Sequence, residues 1–236
     1  METRPPTIDQ HHVIHHYREI ASDIFALDLD DQTLQCWLEL LNLTRQIDDA
    51  IDNPSYTISP VSSHQLFQQF LTPEYLRENF PHLSPDADPH RYEAMCSHAM
   101  QIFELNHTIK QTTSASEYIQ HRQHEGIVFA DIMLLACSDT VRASAKYGEF
   151  ARNFRLMGES GILFDSIIDA HKDYKNGEIA VELSWQDKWL MTKKAARLTK
   201  EMSPVIFRPR ALKALGRSGL RVIRDRWMGK YPIERD

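Results

Sequence analysis

The 236-residue chain is 42% hydrophobic and 25% charged with a net charge of −6, the profile of a soluble protein with a sizeable core and a length that suits one domain. No Gly-rich phosphate loop occurs, and Cys36, Cys96 and Cys137 are too scattered for a disulfide framework or zinc knuckle, which suits a reducing compartment. The opening METRPPTIDQHH lacks an apolar signal region, and the most apolar run, GIVFADIMLLAC, is broken by Asp131 and too short to span a bilayer, so a cytoplasmic protein without a membrane span is expected.

Apolar residues recur at helical spacing almost throughout, and two-residue alternation is scarce, which predicts an all-α chain forming one domain over residues 1–236. The first helix is expected over 8–27, where HHVIHH reads as a polar helix start. The second, over 32–52, reads DQTLQCWLELLNLTRQIDDAID. At about 100° per residue, Trp37, Leu41, Asp48 and Asp52 share one stripe, so the acids continue the apolar face. Asp49 lies beside them and Arg45 one turn back. Negative charge at a helix C-terminus opposes the helix dipole. Three aspartates there call for a compensating cation; a solvated polar turn is the competing reading.

Further helices are expected over 63–71, 90–111, 115–138, 140–147, 150–175, 183–201 and 208–228. Breaks are expected at Asn53-Pro54, Ser59-Pro60, Thr72-Pro73, Pro81 to Pro89, Asn176-Gly177 and Ser203-Pro204. Helix 90–111 holds Glu104-Leu-Asn-His107, a lone ExxH, whereas a di-iron bundle needs two plus two more glutamates. Most of the twelve histidines therefore read as surface residues. Helix 150–175 contains GESGILFDSIIDAHKDYKNGE, in which Asp165, Asp169 and Asp173 recur every four residues and Lys172 precedes the third. Ile162, Leu163, Ile167 and Ile168 between them predict a largely buried helix. Two apolar helices, each with three spaced aspartates, point to a hard cation held by oxygen, and sites completed by phosphate suit Mg²⁺.

From Gln186 onward there are 14 Lys/Arg against 5 Asp/Glu, leaving 13 against 28 before it. A nucleic-acid tail would look like this, and so would a domain whose acidic cation site and basic side meet an anionic substrate. The basic third reads as lacking aromatic interleaving and any recognisable motif, so no nucleic-acid partner is expected. A non-enzymatic all-α interaction protein is the alternative of a different class.

The DDxxD of one helix and the spaced acids of another resemble the class I isoprenoid (terpenoid) synthase superfamily. TRQIDDAIDN is similar to the first acidic motif of its squalene/phytoene synthase branch, and GESGILFDSIIDAHKDYKNGEI to the second. SEYIQHRQHEGIVFADI resembles the cyclase helix with a diphosphate-sensing Arg, a linking acid three residues on and an effector Gly next: Arg122, Glu125 and Gly126. Arg122 precedes Asp165 by 43 residues, close to the cyclase separation, and Tyr118 lies one turn before it. The Tyr and Val-Ala-Gly pattern of the two-substrate synthases is missing, and Ile168 stands where they carry Arg. The resemblance spans three patches. Asp165 and Asp169 replace the usual Asn and Ser, the chain is short for a cyclase, and Lys230-Tyr231 stands for the C-terminal Arg-Tyr pair.

This resemblance implies a helical bundle of the terpenoid synthase type with a central apolar pocket. It implies Mg²⁺, three ions with Mn²⁺ able to substitute, held by Asp48, Asp49 and Asp52 on one side and Asp165, Asp169 and Asp173 on the other. Asp48, Asp49, Arg122 and Asp169 would carry catalysis, while Arg45, Arg122, Lys172, Lys230 and Tyr231, with Glu125 and Gly126 beside them, would hold diphosphate. Trp37, Leu41 and Phe129 are candidates for the pocket wall; core packing is an equal reading for Trp37, Phe129, Phe164 and Trp185. The implied activity is that of a terpene synthase or cyclase, a carbon–oxygen lyase of isoprenoid biosynthesis. It would ionise a C10–C15 prenyl diphosphate, convert the allyl cation to a terpene and release diphosphate. The alternative is a squalene/phytoene-type prenyltransferase with a second prenyl diphosphate or other acceptor. Homodimer formation is left open.

Overall fold

The computed structural model describes residues 14, 17–19, 21–23, 25–51 and 60–202. Every regular element among them is helical. An N-terminal helical segment ends at Phe25, where Ala26 adopts a φ of 52°. There follow α1 (Asp31–Ile51), α2 (Pro60–Phe70), α3 (Pro73–Asn79), a 3₁₀ turn (Pro81–Leu83), α4 (Pro89–Gln111), α5 (Ala115–Leu135), the short α6 (Asp139–Arg142), α7 (Tyr147–Lys175) and α8 (Trp185–Glu201).

The helix starts are written in side chains. Thr72, Asp88, Ser114, Ser138 and Ser184 each accept a backbone N–H of the first turn. Proline opens α2, α3 and α4, where its missing N–H costs nothing. Thr72-Pro73, expected as a break, is thus the start of a helix that the periodicity did not reveal. The helix expected over 140–147 shrinks to Asp139–Arg142, and that over 115–138 stops at Leu135 because Ser138 caps the next turn. Helix 208–228 and the breaks at Asn53-Pro54 and Ser203-Pro204 lie outside the described residues.

Directions follow from the cross-links. Ser138 donates its backbone N–H to Thr33 Oγ1 at 2.9 Å, and Trp37 Nε1 donates to the Met133 carbonyl at 2.8 Å. So α1 runs antiparallel to α5. Arg155 pairs with Asp131, and Arg122 bonds Ser166, so α7 is also antiparallel to α5. Helices α1 and α7 therefore run the same way. They meet where the Trp37 and Phe154 rings lie 5.4 Å apart between centroids. Asp48 and Asp165 each follow their ring by eleven residues, about 16 Å along a helix.

The main core gathers α1, α5 and the first half of α7 around Trp37, Phe25 and Phe150. A second cluster joins α5, α7 and α8 through Tyr118, Ile119, Leu163 and Met191, with Ile179, Val181 and Leu183 of the connecting loop. The later half of α7 is less buried than expected. Phe164 and Ile168 are 46% and 73% exposed, one residue round from the buried Leu163 and half-buried Ile167, because α5 and α8 cover only one side.

Candidate functional site

Helix α5 organises the site because it has a closed face and an open one. On the closed face, glycines let α7 approach closely: a Cβ on Gly126 would sit 2.5 Å from the Gly158 carbonyl oxygen. One turn before this crossing, Arg122 points across to α7. Its Nε donates to Ser166 Oγ at 2.7 Å and Nη1 to Glu125 Oε2 at 2.6 Å, while Nη2 lies 3.6 Å from Asp165 Oδ2. The fully buried Tyr118 reaches Ser166 as well, and Asn106 of α4 hydrogen-bonds Glu125. Burial pushes the Glu125 carboxyl above its ordinary value, more than Arg122 and Asn106 pull it down.

Asp165, Asp169 and Asp173 fall on successive turns of α7. Burial, then the negative charge of Asp169, raises the Asp165 carboxyl, with Arg122 opposing. Burial again leads for Asp173, followed by Glu178 and Asp169. Lys172 is exposed at the same end. Asp48 and Asp49 belong to the last turn of α1, at the end of the bundle toward which the α7 acids also run; their side chains, and all of Asp52, lie outside the described residues. Arg45, one turn earlier, is exposed. Lys230 and Tyr231 likewise lie outside.

On its open face α5 borders a cavity of about 780 Å³ between α1, α2, α4 and α5. The described wall is mainly apolar: Leu40, Leu43 and Ile47 from α1, Phe67 from α2, Met95 and Phe103 from α4, and Phe129 and Met133 from α5. Its polar lining includes Thr44 and His64 along the wall, with Asn106, His107 and Lys110 of α4 at one end. That is the end toward Arg122, since α4 continues there past Asn106, the partner of Glu125. Glu104 and His107 border the cavity and are both exposed, as the surface reading of the histidines has it for His107. HHVIHH lies outside the described residues except for Ile14.

Phe129 is the one expected wall residue that lines this space. Trp37 is fully buried in the core, held by Met133 and by ring contacts, and Leu41 packs against that core half-buried. The cavity stripe of α1 is Leu40, Leu43, Thr44 and Ile47, one residue round from the expected stripe. Phe164 and Trp185 are exposed, so neither belongs to a pocket. Gly126 has a packing partner in Gly158. Ser166 and Asn106 were missed, although a serine between two aspartates in an apolar helix, and an asparagine continuing the Met95–Ala99–Ile102 stripe, were signals in plain view.

No family model, curated protein or solved structure matches this chain. The geometry must speak for itself.

Proposed function

We propose that the protein is a Mg²⁺-dependent class I terpene synthase that ionises a prenyl diphosphate of C10–C15 length and converts the allyl cation to a terpene. The observation that carries this reading is an apolar cavity whose lining includes Asn106, the partner of Glu125, which in turn pairs with Arg122 and through it with Asp165 of α7. Its volume lies within the roughly 300–1,000 Å³ typical of small-molecule sites. Asp165, Asp169 and Asp173 would hold metal from α7, and Asp48, Asp49 and Asp52 from the end of α1. The donor set fits, because oxygen ligands suit a hard cation and Asp165, Asp169 and Asp173 fall on successive turns of one helix. When bound, Mg²⁺ supplies positive charge that stabilises departing diphosphate.

The chain's own residues do the rest. Arg122 is held by Glu125 and Ser166, which fixes its planar fork while Nη2 keeps donors toward the acidic end. Arg45, Lys172, Lys230 and Tyr231 add donors for an anionic leaving group. The walls of Phe67, Phe103, Phe129 and Met133 keep water from a cationic chain. Aromatic faces among them stabilise positive charge.

The test is incubation of the full chain with labelled prenyl diphosphates over a Mg²⁺ titration, with products identified by mass spectrometry. A hydrocarbon or alcohol from one substrate supports the proposal, and Asp169→Asn should lower turnover on the order of 100-fold with the melting temperature kept. Chain growth or a prenylated acceptor would instead establish the transferase. Absence of diphosphate release under all conditions would refute both.

A further inference from the structure

We propose that the outward face of α8 is a docking surface for an anionic lipid membrane. Helix α8 is anchored on its inner side: Met191 and Ala195 are fully buried, and Lys194 Nζ donates to Gln123 Oε1 of α5 at 2.8 Å. At 100° per residue the opposite stripe is Trp185, Trp189, Lys193, Ala196 and Lys200, all exposed. Trp185 is 79% exposed and Trp189 51%, with Leu190 beside them at 44%. Two tryptophans so presented on a well-anchored helix serve no packing in the described fold.

The charges around them choose the partner. Lys193 Nζ lies 5.3 Å from the Trp189 ring centroid, a cation–π contact that holds ring and ammonium side by side. The helix carries five Lys/Arg against two acids. Both acids are engaged locally, Asp187 in the capping box with Ser184 and Glu201 with Arg197 at 3.2 Å. What faces outward is therefore tryptophan and free positive charge. Trp189 stands among lysines, which corrects the expectation that the basic third lacks aromatic interleaving. Protein interfaces are depleted of Lys. Single-stranded nucleic acid is bound in grooves with stacking platforms, and this stripe lies along the outer side of one helix. Trp at headgroup depth with Lys beside it is the chemistry of helices that lie in the interface of anionic bilayers. No described helix is long and apolar enough to cross a membrane, so α8 would rest on the surface.

The experiment is co-sedimentation of the full chain with phosphatidylcholine vesicles, with and without phosphatidylserine, read alongside tryptophan emission. Binding is expected only with phosphatidylserine, falling as salt rises, with a blue shift. Trp185→Ser/Trp189→Ser should abolish binding and shift while the melting temperature holds. Lys193→Gln/Lys200→Gln should weaken binding on the order of tenfold. The proposal fails if wild type ignores the vesicles, or if both double variants bind as wild type does. It also fails if the tryptophan variant instead lowers the melting temperature, abolishes self-association in sedimentation velocity, or removes binding to single-stranded oligonucleotide. Those results would assign the face to another part of this chain, a second copy or nucleic acid.

Discussion

The two faces of α5 are built on opposite principles within one helix. Toward α7, Gly126 and Gly158 bring backbones so close that no Cβ fits, and the contact is fixed by shape. Toward α1, α2 and α4, Phe129 and Met133 share with Leu40, Phe67 and Phe103 the lining of a cavity of about 780 Å³. Small residues make the rigid seam; bulky ones line the empty space. Arg122 and Glu125 lie where the faces meet, one bonded to α7 and the other to α4. The lesson is that a tight crossing on one side can hold a charged pair steady beside an opening on the other.

The comparison is broken most severely on the closed face. Gly158→Val places atoms against the Gly126 carbonyl oxygen, 2.4 Å from an added Cβ, and backbone cannot move aside cheaply. The expected loss is about 3 kcal/mol, or roughly 10 °C of melting temperature in a domain this size, measurable by calorimetry. A variant that melts like wild type would show that the crossing is looser than described.

Arg122→Lys probes the meeting point. Lysine keeps the charge but cannot reproduce both the Ser166 and Glu125 bonds, a cost of about 1–2 kcal/mol in stability. Under the proposed function, turnover falls on the order of 100-fold, more than the stability change explains. A destabilised variant with full turnover would reduce Arg122 to a structural role.

The open face should tolerate what the closed face does not. Ala99 borders the cavity, so Ala99→Phe grows into empty space. Its melting temperature should move by less than that of Gly158→Val, within about 1 kcal/mol of wild type, while turnover drops or products shorten as the pocket fills. Equal destabilisation by both variants would erase the distinction between the faces.

How far these faces were legible in the sequence differs by residue. The helices over 32–52, 90–111 and 150–175 were visible from period alone, and their bounds held to within three residues at each end. The Trp37 stripe was offset by one residue, because apolar periodicity finds the buried side of α1 without saying which part meets core and which meets cavity. Trp37 went to core once its indole N–H found the Met133 carbonyl. Gly126 and Gly158 were each visible, but their pairing depends on how α5 and α7 pack, a tertiary fact. The acidic turns of α7 were legible as a stripe; Ser166 and Asn106, which orient Arg122 and Glu125, join residues far apart in sequence. Phe164 and Trp185 misled because hydrophobicity predicts burial only when a neighbour arrives to cover it.

The smallest expected effect is a slope. In the unfolded chain the Glu125 carboxyl titrates near its ordinary 4.5; in the fold, burial keeps its proton on to higher pH despite Arg122 and Asn106. Below the unfolded value both states are protonated and the group does not affect stability. Above it, the unfolded chain has released a proton that the folded one still holds, so stability falls as pH rises through the window and levels off past the folded value. Glu125→Gln has nothing to titrate at this position. Its melting temperature, followed from about pH 4 to about pH 7 beside that of wild type, should lack this part of the decline. A decline of unchanged size in Glu125→Gln would move the titration to Asp165 and Asp173, whose carboxyls burial also raises. Those belong to the acidic turns of α7, so that outcome would place the buried titrating carboxyls beyond the seam and leave Glu125 an ionised partner of Arg122 and Asn106.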